Sequence, residues 1–170
     1  MSGTSGTLVR QGPVWIFGER IGIETISPLR YLFETETRAR DCLAAEDPRF
    51  GSEVQPGDIL VAGALFGHGP GHDHGNLALK ETGVGGIVAR SFAPQFLRHS
   101  IAHGLLVAEC DEIPALVAAG EELRVDFASG EIENLSTGAA AQGRVPQGPA
   151  VEIVLTGGLV PFIEAQLAET

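Results

Sequence analysis

Only two cysteines, Cys42 and Cys110, stand among the 170 residues, too few to hold an iron–sulfur cluster by themselves. With no secretory signal, they are expected as free thiols in a reducing cytoplasm rather than as a disulfide. Basic residues are scarce: 11 Lys and Arg against 22 Asp and Glu give a formal net charge of −11. That balance excludes the clustered cations a nucleic acid needs. No apolar run approaches the roughly 20 residues that span a bilayer, so no membrane span is expected. Residues 1–7 lack the basic and apolar regions of a signal peptide, and residues 1–12 are expected to form a flexible leader. Repeats and low-complexity blocks are lacking too. What is present, 44% hydrophobic and 19% charged residues, fits one globular domain over residues 13–170 with a core of its own.

The hydrophobic pattern predicts short strands at 14–17, 58–62, 86–89 and 105–108. Helices are predicted at 76–82 and 94–103. Strand, helix, strand, helix, strand within fifty residues implies parallel pairing with right-handed crossovers. A short helix over 112–119 follows, then a hairpin of 123–127 and 131–135 about Ser129-Gly130. A strand at 151–155 and an amphipathic helix at 159–167 complete the chain. Residues 18–28 read as loop. Residues 30–55 are charged and weakly periodic, helical at most over 38–45, and form a candidate mobile flap.

One segment carries little core material and much chemistry: Phe66-Gly67-His68-Gly69-Pro70-Gly71-His72-Asp73-His74-Gly75. Its glycines and proline specify a shaped loop. It follows an apolar strand, the place where α/β folds put their sites. All five histidines, His68, His72, His74, His99 and His103, fall within 36 residues. His99 and His103, spaced i, i+4, share a face of the predicted helix.

Four passages together resemble a known family. They are Val14-Trp15-Ile16-Phe17-Gly18 with Ile26-Ser27-Pro28-Leu29-Arg30-Tyr31-Leu32; Gly57-Asp58-Ile59-Leu60-Val61-Ala62-Gly63 with Phe66-Gly67, His74 and Leu77-Ala78-Leu79-Lys80; Val88-Ala89-Arg90-Ser91-Phe92-Ala93 with Phe96 and Arg98; and Gly130-Glu131-Ile132-Glu133-Asn134-Leu135-Ser136-Thr137-Gly138. In order and spacing they resemble the small subunits of 3-isopropylmalate dehydratase (isopropylmalate isomerase), the swivelling domain of the aconitase superfamily. The resemblance implies an α/β fold with a central mixed, partly parallel sheet flanked by helices. It implies a hydro-lyase small subunit that dehydrates and rehydrates a hydroxy-dicarboxylic acid. The cofactor, a [4Fe–4S] cluster, is then expected in a large partner subunit, with none bound by this chain alone.

The family loop reads G-x-G-S-S-R-E-H, with a serine as base and the arginine on a substrate carboxylate. In register, the serines become Pro70 and Gly71, the arginine His72 and the glutamate Asp73; the glycines and His74 remain. Where the family usually reads Asp-Thr-Asp, this chain has Gly22-Ile23-Glu24. Neither Pro70 nor Gly71 can take a proton, so the serine mechanism does not carry over. Three readings of the histidines stand side by side. His72 or His68 replaces the serine as general base, with Asp73 in the same catalytic group, since imidazole titrates near neutrality. Alternatively His68, His72 and His74 bind a divalent metal such as Zn²⁺. Or they are surface and network residues of a non-catalytic binding or scaffold subunit. Substrate contacts are expected from Arg30, Tyr31, Gly69, Gly71 and His74, with arginine suited to a carboxylate. His74 has a further structural reading, at the cap of the helix that follows it.

Overall fold

The computed structural model describes residues 8–168. Seven strands run in chain order as β1 (Val9–Ile16), β2 (Ile59–Ala62), β3 (Gly86–Ala89), β4 (Val107–Glu109), β5 (Glu122–Asp126), β6 (Glu131–Asn134) and β7 (Ala140–Gln142). They form one sheet in the order β4-β3-β2-β1-β5-β6-β7. β1 to β4 pair in parallel, whereas β5, β6 and β7 add on antiparallel. The sheet is therefore mixed and partly parallel, as expected.

β2 and β3 are apolar throughout because both sheet faces are covered. Side chains alternate along each strand. Leu60, Ala62, Ile87 and Ala89 enter one core, and Ile59, Val61 and Val88 enter the other. The helices are α1 (Ile23–Ile26), α2 (Phe50–Glu53), α3 (His74–Thr82), α4 (Pro94–Ala102), α5 (Ile113–Leu116), α6 (Pro149–Leu155) and α7 (Leu159–Ala168), with a 3-10 turn at Leu29–Leu32. α3 crosses over from β2 to β3 and α4 from β3 to β4. Their residues Ala78, Leu79 and Phe96 fill the first core beside Ile23, Ile26 and Phe50, while Ile113 of α5 sits in the second. Among the described residues no single helix is long and apolar enough to cross a membrane.

Several expectations are corrected. β1 begins at Val9, so residues 9–12 belong to the sheet and not to a leader; residues 1–7 lie outside the described residues. Val9 to Pro13 pair with β5, and Val14 to Ile16 with β2. Pro13, unable to donate a hydrogen bond, thus sits where the strand changes partners. The stretch 151–155 is helix α6 and not a strand. Its β-branched residues suggested a strand, but Pro149 at the first helical turn presets a helical φ. β7, with no β-branched residue, was not foreseen.

The segment 30–55 is packed down rather than forming a free flap: Tyr31, Arg38, Cys42, Leu43 and Phe50 are all buried. The Phe50 ring meets Trp15 and Phe17 edge-on, with centroids 5.4 and 5.3 Å away. Residues 38–45 form turns and no helix. Leu43 has φ 56°, and its N–H donates to the Ile26 carbonyl at 2.9 Å, outside any helical ladder. Arg38 forms a two-pronged ion pair with Glu81 of α3 and also donates to the Tyr31 carbonyl.

Candidate active site

The ends of the parallel strands gather three loops. After β1 comes 17–22, after β2 comes 63–73, and after β3 comes 90–93. The backbone weaves them together. Gly67 N–H donates to the Ile21 carbonyl, and Ile23 N–H to the His68 carbonyl, both at 2.8 Å. Phe66 N–H donates to Ser91, and Ala93 N–H to Phe66. The histidine loop therefore lies like a short extra strand between its neighbours, with single parallel bridges at Gly22–His68 and Phe66–Phe92. Gly67, at φ 80°, lies flat on the Phe96 ring, where an added Cβ would come within 2.2 Å of the ring carbons. No other residue type fits there. The position is the outer edge of the sheet's carboxyl ends, where open α/β sheets bind ligands.

Between this loop and α4 lies a cavity of about 300 Å³. His68, Gly69, Gly71 and His72 line it from the loop, and Gln95 and His99 line it from the helix. The ring of His68 is fixed: its Nε2 is 2.8 Å from the Arg20 carbonyl. A carbonyl only accepts, so Nε2 is the donating nitrogen and Nδ1 is left outside that bond. His72 is exposed at the loop's tip, and its N–H donates to the Pro70 carbonyl at 2.8 Å.

The remaining expected site residues are placed elsewhere. Asp73 faces neither His68 nor His72; its carboxylate accepts from His103 Nε2 at 2.9 Å. Partial burial acts to raise the Asp73 pKa, but the hydrogen bond and charge of His103, aided by His99, outweigh it, and the net shift is downward. His74 is 1% exposed and donates from Nε2 to the Ser27 carbonyl at 2.8 Å. Burial pushes its pKa below the usual imidazole range, so it is neutral at neutral pH. As the first residue of α3 it ties that helix to the loop after α1, and it does not line the cavity. Arg30 and Tyr31 do not line the cavity either. The Arg30 guanidinium lies over the Tyr31 ring at 4.7 Å, and the Tyr31 hydroxyl bonds Asp41.

His68, His72 and His74, weighed as metal ligands, are not brought together: His68 is held on the Arg20 carbonyl and His74 on that of Ser27. Among the described residues no three His, Cys, Asp or Glu side chains are grouped to hold a metal. The cysteines do not suit an iron–sulfur cluster: both are buried, one in each core, and burial pushes both thiols up, away from the thiolate a metal requires. The sequence reading missed the part of α4: Gln95 and His99 in the cavity wall and His103 on Asp73. The i, i+4 spacing of the helix histidines was the available signal.

The sequence profile of the aconitase C-terminal domain matches residues 19–112. The chain belongs to that family. It is 40% identical over 162 residues to the isopropylmalate/citramalate isomerase small subunit of Methanocaldococcus jannaschii, covering 94% of this chain and 96% of that one. It is 39% identical to the 3-isopropylmalate dehydratase small subunit of Moorella thermoacetica, covering 92% and 95%. Identity to the 2,3-dimethylmalate dehydratase small subunit of Eubacterium barkeri is 36%, covering 91% and 96%. A crystal structure of 3-isopropylmalate dehydratase from Methanocaldococcus jannaschii superposes with a TM-score of 0.86 at 28% identity, covering 94% of this chain and 96% of that one. The structural match extends over nearly the whole chain and so takes in the mixed sheet described above.

Proposed function

We propose that this chain is the small subunit of an aconitase-type hydro-lyase, working on a hydroxy-dicarboxylic acid together with a large subunit that holds a [4Fe–4S] cluster. The relatives' names support the class, and they share a malate skeleton with small alkyl groups, so an alkyl-substituted malate is the proposed substrate. The observation that carries the reading is the histidine loop itself. It lies beside a cavity of small-molecule size with His68 and His72 in the lining, and in sequence it stands in register with the loop that bears the base in the family it resembles.

In this proposal His72 takes the proton from the carbon beside a substrate carboxylate as the C–O bond on the neighbouring carbon breaks and a double bond forms. The leaving hydroxide is one that the large subunit's cluster would accept as a Lewis acid, and His72 returns the proton on rehydration. A positioned general base contributes about 10² to 10⁴ in rate. His68, with Nε2 committed to Arg20, offers Nδ1 as a second acceptor. Gly69 and Gly71 let backbone approach the ligand closely, which bulkier residues would prevent. Asp73 holds the loop to α4 and does not relay the proton. His74, Arg30 and Tyr31 act as framework.

The test is co-expression with the cluster-bearing subunit, anaerobic purification, and an assay of solvent deuterium uptake into alkyl-substituted malates. Uptake that requires both subunits and is lost in His72→Ala is the expected result. A stable complex that exchanges no acid would overturn the proposal in favour of a scaffold subunit.

A further inference from the structure

The helix opposite the histidine loop carries a polar stripe that the catalytic proposal leaves unused. Gln95 and His99 stand at i and i+4 on one side of α4, and His103 follows at i+8 as the residue that caps its C-terminus. The stripe meets the loop from end to end. Gln95 lies against Gly71: a Cβ there would come within 2.7 Å of the Gln95 side-chain amide. His103 grips Asp73 at the loop's far end, at 2.9 Å. Between these two fixed points His99 lines the cavity, opposite His68 and His72 of the loop.

The cavity differs from the rest of the molecule in charge. The chain has 22 Asp and Glu among 170 residues, yet no carboxylate lines this space; its polar side chains are three imidazoles and one amide. His99 and Gln95 on α4 can each donate a hydrogen bond into it, whereas His68 spends its Nε2 donor on the Arg20 carbonyl, and imidazole can also carry positive charge. An acidic protein that keeps one donor-rich, carboxylate-free cavity has a site suited to an anion. The floor is apolar, with Ile23, Ala93 and Phe96, which suits an alkyl group.

We propose that His99, supported by Gln95, is a specificity-determining residue that donates a hydrogen bond to a carboxylate of the substrate from the α4 side of the cavity. His72 on the loop side is thereby left free for the proton. The inference rests on the proposed hydro-lyase function for the identity of the acid, but not for the site. His103 serves as a positioning residue that keeps the loop and the stripe in register.

Two measurements decide it. In the isolated full chain, histidine ring signals are followed by NMR while 2-methylmalate is added. The ring of His99 is expected to shift, and His99→Leu to weaken binding about tenfold, as loss of one charge-assisted hydrogen bond implies. His99→Gln, which keeps a donor, is expected to recover most of the affinity. In the complex, His99→Leu is expected to raise KM for 2-methylmalate about tenfold with kcat changed less than about twofold. A His99 ring that does not respond, or an unchanged affinity in His99→Leu, overturns the inference. Binding through His99 by a chain whose complex exchanges no acid would overturn the hydro-lyase reading alone. Exchange with an unaltered KM in His99→Leu would overturn the role of His99 alone.

Discussion

Two irregular stretches of this molecule, residues 29–55 and residues 63–73, look alike in having little regular structure, yet they are built on opposite principles. The longer one is held by its side chains. Phe50, Leu43 and Cys42 enter the core, Arg38 is paired with Glu81, and Tyr31 is bonded to Asp41. The shorter one is held chiefly by its backbone, through bonds to Ile21, Ile23, Ser91 and Ala93. Its side-chain anchors are Phe66 in the core, His68 on the Arg20 carbonyl and Asp73 on His103, which leaves His72 exposed beside the cavity. Irregular backbone by itself thus says nothing about function. Which atoms secure the segment decides whether its side chains are available for chemistry.

Substitutions in the two stretches should therefore separate cleanly. His72→Ala is expected to lower proton exchange by about 10² to 10⁴ while moving the urea midpoint little, as befits an exposed side chain. Phe50→Ala is expected to do the reverse: removing a fully buried ring costs about 3–5 kcal/mol of stability by urea unfolding. Arg38→Ala leaves the half-exposed Glu81 without its partner and is expected to cost about 2 kcal/mol, with substrate KM unchanged. Tyr31→Phe, losing the bond to Asp41, is expected to cost about 1 kcal/mol. A large loss of affinity in Tyr31→Phe would blur the comparison, because it would bring the longer segment into the site.

The smallest effects concern pH. The Asp41 carboxyl is held down to about 2 by Arg40 and then by Tyr31. A depressed carboxylate stabilises the fold above its unfolded value near 4, and that contribution is lost as pH falls from about 4 to about 2. Burial lowers His74, so the folded state resists protonation there. Its contribution is present above the unfolded value of about 6.5 and is lost as pH falls below it. Unfolding measured at neutral and mildly acidic pH should show a weaker pH dependence in His74→Gln than in the native chain.

Much of this was legible before the structure. The apolar runs 58–62 and 86–89 announced the buried parallel strands, and the glycines around His68 and His72 announced the loop. The 151–155 stretch misled because β-branched residues favour strands locally, whereas Pro149 and packing on α4 and α7 make it a helix. Arg38 pairs with a residue 43 positions away, and no local pattern encodes such a contact. The loop histidines were visible as a cluster, but their separation was not. Only the crossovers that lay α4 along the loop show that Asp73 belongs to His103, that His74 faces inward to Ser27, and that His99 reaches the cavity.

Whether the chemistry resides on the histidine loop is open to one direct experiment. Solvent deuterium uptake into 2-methylmalate would be followed for the two-subunit complex in three forms: native, His72→Ala and Arg38→Ala. The account predicts that uptake falls by about 10² or more in His72→Ala and stays near the native rate in Arg38→Ala at a temperature where both are folded. Undiminished uptake in His72→Ala, or its loss in Arg38→Ala alone, would contradict it.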